Sequence, residues 1–86
     1  MQEIAVTIAG HVVSQEQAQA IGRLLAEAGN PETMVISRCD RLKNACSPCC
    51  LGGEFGDKKG WEVYGETHGG RLKISVNNGD YVFIFS

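Results

Sequence analysis

Eighty-six residues give room for one hydrophobic core, so a single domain spanning 1–86 is expected. Hydrophobic content of 43% and charged content of 21% exclude a disordered chain, and no apolar run approaches the ~20 residues of a membrane span. A net charge of −2 argues against a nucleic-acid partner, which would ask for a basic stripe.

Charge is unevenly spread. Arg38, Arg41, Lys43, Lys58 and Lys59 against Asp40, Glu54 and Asp57 leave residues 38–59 at +2 and the rest at −4. The opening Met1-Gln-Glu-Ile-Ala-Val-Thr-Ile-Ala-Gly is acidic and too short in apolar residues for a signal peptide. The expected compartment is therefore the cytoplasm, where thiols stay reduced.

Residues 3–9 alternate, with Ile4, Val6 and Ile8 on one face and Ala5, Thr7 and Ala9 on the other, which predicts a strand. Ser14-Gln-Glu-Gln17 is a capping box that opens a helix. Ala18, Ile21, Leu24, Leu25 and Ala28 follow as its apolar stripe. Gly29-Asn30-Pro31 stops it, with Gly29 expected in the left-handed conformation. Gly22 implies close packing, expected against the small-residue face of the first strand.

Met34–Ser37 reads as a second, short strand. Residues 38–60 carry Gly52, Gly53, Gly56 and Gly60 without sustained periodicity, so an irregular loop is expected, with one helical turn over 40–45. Three further strands are expected at 61–66, 71–76 and 81–85. His68–Arg71 turns between the first two, and Asn78-Gly79 makes a type I′ turn between the last two. That register puts Trp61, Val63, Leu72, Ile74, Val76, Tyr81, Phe83 and Phe85 on a core face. Glu62, Tyr64, Glu66, His68, Arg71, Lys73, Ser75, Val82 and Ile84 fall on the outer face, with Glu66 opposite Lys73. The fold class is α+β: one helix on a mostly antiparallel sheet of four or five strands, ordered β-α-β-loop-β-β-β.

All four cysteines lie within twelve residues, as Cys39-x6-Cys46-x2-Cys49-Cys50. Thiolates so gathered can form a structural zinc site. Cys46-Ser-Pro-Cys49 supplies the knuckle, Cys39 a third ligand, and Cys50, His68 or His11 the fourth. Free buried thiols, and a disulfide closing Cys39 onto Cys46 or Cys50, fit the same residues. Cys46-Ser-Pro-Cys49 also resembles the C-x-P-C of thioredoxin-like oxidoreductases, which implies thiol redox chemistry at Cys46 and Cys49. The sequence departs from that family: Cys50-Leu-Gly-Gly follows the motif, and the only other proline, Pro31, precedes it.

No nucleophile elbow, carboxylate pair or phosphate loop is present in the sequence, so no enzyme is expected. In size, acidic balance and lack of catalytic groups the chain resembles phage- and mobile-element-encoded inhibitors, anti-CRISPR proteins among them. That resemblance implies a binding protein acting on another protein, with Tyr64, Val82 and Ile84 on the outer sheet face and Arg41 and Lys43 in the loop as contacts. A second copy of the chain is the other candidate partner.

Overall fold

The computed structural model describes residues 1–43, 45–47, 54–55 and 58–86. The sheet forms because its last two strands, β6 (Leu72–Val76) and β7 (Tyr81–Phe85), alternate as expected and pair antiparallel with Val76 opposite Tyr81. Asn78 and Gly79 take φ of 58° and 90° between them, the two positive values a type I′ turn requires. Asn77, also at positive φ, donates its amide to the Val6 carbonyl and accepts the Ile8 amide on Oδ1. The turn thereby fixes β1 (Gln2–Val6) beside β6, in parallel.

On the other side β7 pairs antiparallel with β2 (Val35–Asp40), and β2 pairs antiparallel with β3 (Ala45–Ser47). The five-stranded order is β1-β6-β7-β2-β3. Helix α1 (Gln15–Glu27) connects β1 to β2, and the two β6–β7 strands lie between the strands it joins. A separate two-stranded ladder joins β4 (Glu54–Phe55) and β5 (Lys58–Lys59), and α2 (Gly60–Thr67) follows directly. The α+β class holds, as a mixed sheet carrying two helices rather than one.

Helix α1 begins at Ser14 with both capping-box hydrogen bonds formed. Its buried row is Ala18, Gly22 and Ala26, four residues apart; of the expected stripe Ala18 alone is fully buried. Leu24 is 71% exposed, Leu25 and Ala28 are exposed, and Ile21 is half-buried. Small residues win because the sheet offers large ones. A Cβ on Gly22 would come within 3.2 Å of the Phe85 ring and 3.6 Å of Ile74. Gly22 therefore meets β6 and β7, whereas Ala5, Thr7 and Ala9 of the first segment are exposed. Ile4, Val6 and Ile8 supply the contacts to the core instead.

The end of α1 also differs from expectation. Gly29 is not among the residues with positive φ; the amides of Gly29 and Asn30 both reach the Ala26 carbonyl. Arg71 Nη2 donates to the same oxygen at 3.0 Å. A cation at a helix C-terminus is favourable, and the missing side chain of Gly29 leaves Arg71 the space.

The largest correction concerns 61–66, which is helix and not strand. Trp61 and Gly65, one helical turn apart, face the sheet and are buried. Trp61 packs with Val82, Ile84 and Cys39 in a second core, on the opposite side of the sheet from α1. A Cβ on Gly65 would stand 2.6 Å from both Ile84 Cδ1 and Ser37 Oγ, and Gly70 presses as closely on the Gly65 carbonyl. Only glycine lets α2 and the turn after it come this near the sheet. Without a strand at 61–66, Glu66 does not stand in cross-strand register with Lys73; Lys73 Nζ lies 3.7 Å from Glu3 and 3.6 Å from Glu62.

Candidate functional site

The segment expected to be a loop is in part an ordered hairpin. Strand β2 runs on through Cys39 and Asp40, and β3 returns with Cys46 directly opposite Cys39. The two cysteines form a disulfide across the strands, with Cα atoms 4.0 Å apart. Cys39 is buried against Trp61, Val82 and Ile84, while Cys46 packs at the margin of that cluster and is half-buried.

Between the strands, residues 41–43 form a turn, and Asp40 and Ala45, the ends of the expected helical turn, are strand. Asp40 organises it. Its side chain is buried, and Oδ1 accepts the amides of Leu42 and Lys43, each at 3.1 Å. An aspartate bonding its own backbone two and three residues on is a standard way of fixing a turn. The Arg41 amide donates to the Asp80 carbonyl at 2.9 Å, tying the tip to the β6–β7 turn. Arg41, Leu42 and Lys43 themselves point into solvent, Leu42 at 65% exposure. The result is an apolar residue between two cations, held by a disulfide below and a carboxylate inside.

The other candidate residues are scattered. Val82 and Ile84 are buried under α2, at 5% and 1% exposure, and have no surface to offer a partner. Tyr64 remains 37% exposed on α2 and stacks on His68, with ring centroids 3.9 Å apart and planes 16° apart. His68 Nδ1 lies 2.8 Å from the Tyr64 carbonyl and 3.1 Å from Thr67 Oγ1, which closes the helix end. His11 contacts Gln17 at the start of α1. Neither histidine is grouped with Cys39 and Cys46: among the described residues no cluster of three or more His, Cys, Asp or Glu could hold a metal ion. Cys49 and Cys50 lie outside the described residues.

A depression of about 290 Å³ is lined by Met1, Glu3, Glu62, Glu66 and Lys73. Its lysine is balanced by Glu3 and Glu62, an arrangement suited to joining β1, β6 and α2. Of the residues that matter, sequence reasoning missed Leu42 and the role of Asp40. An aspartate leading a short polar run was the available signal.

A mixed five-stranded sheet with a helix on each face and a disulfide-braced hairpin at one edge is thus the class of module. The chain belongs to the family described as a domain of unknown function (DUF5619), whose pattern it matches over residues 1–85. It is similar to the crystal structure of AF1514, a protein from Archeoglobus fulgidus DSM 4304, with 31% identity and a TM-score of 0.80. That likeness covers 100% of this chain and 93% of the other. The chain matches no curated protein.

Proposed function

We propose that the protein is a non-enzymatic binding module that docks on another protein through the hairpin tip Arg41-Leu42-Lys43. The observation that supports this is the double bracing of an exposed leucine between cations, by Asp40 inside the turn and Cys39–Cys46 at its base. A tip fixed in advance loses little conformational entropy on binding. Its charge suits an acidic partner surface, and the positive balance of 38–59 against the acidic remainder orients the approach. Such a role is compatible with an inhibitor.

The test is a capture experiment from the native host, using wild type and a variant with Arg41→Glu, Leu42→Asp and Lys43→Glu. The expected result is a partner that the wild type retains and the variant loses, with both proteins melting alike. A partner held equally by both removes the tip from the account.

A second reading follows from the same opposed cysteines. In the reduced protein Cys39 and Cys46 present two adjacent thiols, and Cys49 and Cys50 follow three and four residues later in the sequence. These four are the ligand set for one structural zinc, and His68, at the end of α2, is not needed. The zinc form belongs to a reducing cytoplasm and the disulfide to an oxidising setting. About one equivalent of zinc in protein purified under reducing conditions, with a chelator lowering its melting temperature, supports this reading; metal-free protein unaffected by chelator rejects it. No helix among the described residues is long and apolar enough to cross a membrane.

A further inference from the structure

We infer that Cys46 is a thiolation site: the sulfur through which a small anionic thiol enters and opens the Cys39–Cys46 bond. The two sulfurs of this disulfide are not equivalent. Cys39 is 6% exposed and enclosed by Trp61, Val82 and Ile84, on a strand paired on both sides. Cys46 is half-buried and lies on β3, the last strand in the sheet order. Exchange requires a thiolate to reach one sulfur, and access decides which. The same hairpin carries exposed Arg41 and Lys43, which favour an anionic thiol such as glutathione.

The step balances without a further reagent. The glutathione thiolate attacks Cys46 Sγ, a glutathione–Cys46 bond forms, and the Cys46–Cys39 bond breaks. The electron pair leaves on the Cys39 sulfur, which takes a proton from water. Held in the second core directly opposite Cys46, the Cys39 thiol is placed to return. Its attack on Cys46 expels glutathione and restores the disulfide. Alternatively a second glutathione attacks the first, giving glutathione disulfide and both protein thiols. Cys46 receives and Cys39 resolves. This inference stands apart from the docking proposal and survives its failure.

The experiment uses the full chain with Cys49→Ser and Cys50→Ser, so that Cys39 and Cys46 alone remain. The protein is exposed to reduced glutathione, quenched in acid and mapped by peptide mass. Glutathione is expected on Cys46 and not on Cys39. With Cys39 or Cys46 also replaced no protein disulfide remains, so glutathione disulfide is the probe: the added Cys39→Ser variant should take glutathione on Cys46 and release reduced glutathione, whereas Cys46→Ser in its place should leave Cys39 modified about tenfold more slowly in folded protein. Should the serine background fail to fold, the same quench and mapping are done on wild type, reading Cys39 and Cys46 only. Adducts on Cys39, or equally on both, overturn the inference. So does a disulfide that glutathione leaves intact while reducing an unfolded peptide of the same sequence.

Discussion

The two faces of the sheet use the same strands but are covered in opposite ways. Under α1 the sheet supplies the bulk, through Leu72, Ile74, Val76, Tyr81, Phe83 and Phe85, and the helix supplies Ala18, Gly22 and Ala26. Under α2 the helix supplies the large residue, Trp61, which covers Val82, Ile84 and the inner cysteine. The first face is a broad core with one helix laid along it. The second is small and depends on close glycine contacts, and it leads into the braced hairpin. Stability is concentrated on the first face, and the groups with chemistry to offer lie beside the second.

That contrast can be broken most forcefully at Ile84. Ile84→Lys puts a charge between the sheet and α2, and the fold should lose several kcal/mol, read as a collapse of the denaturant midpoint. A variant that melts almost normally would mean α2 does not cover this face. Gly65→Ala probes the same packing more gently. Its Cβ has Ile84 Cδ1 and Ser37 Oγ at 2.6 Å, so a loss of about 1–3 kcal/mol from overpacking is expected. Helix propensity alone predicts the reverse sign, a gain of about 1 kcal/mol. The sign in a chemical melt therefore decides between them. On the α1 side, Ser14→Ala should cost about 1 kcal/mol through loss of the bond to the Gln17 amide, measured the same way. An unchanged midpoint would remove the capping box from the account of α1.

The contrast also explains what the sequence disclosed. Alternation in 72–76 and 81–85 with Asn78-Gly79 between them determined strands, faces and register, because a one-residue slip would reverse every side chain. The capping box located the start of α1 for a similarly local reason. Its buried face was misread because Leu24 and Leu25 are more apolar than Gly22 and Ala26. What selects the small row is the bulk of Phe85 and Ile74, remote in sequence. Trp61-Glu-Val-Tyr alternates like a strand, yet it folds as a helix because Trp61 and Gly65 must meet Ile84 together. Nothing within those residues carries that information. For the cysteines, spacing left zinc, free thiols and several pairings open, since connectivity depends on which strands lie side by side. Cys39 and Cys46 meet because Asp40 turns the chain between them, and that turn was expected to be helical.

Amide hydrogen exchange at the hairpin tip, in oxidised and in reduced metal-free protein, tests most directly whether the disulfide and Asp40 together hold it. In the oxidised protein the Leu42 and Lys43 amides, both bonded to Asp40 Oδ1, should be protected. Reduction should bring them close to the exchange rate of an exposed peptide and leave the Ile74 and Phe83 amides, in the α1 face, unchanged. Protection at Leu42 and Lys43 that is absent in the oxidised protein, or that survives reduction undiminished, would contradict the account.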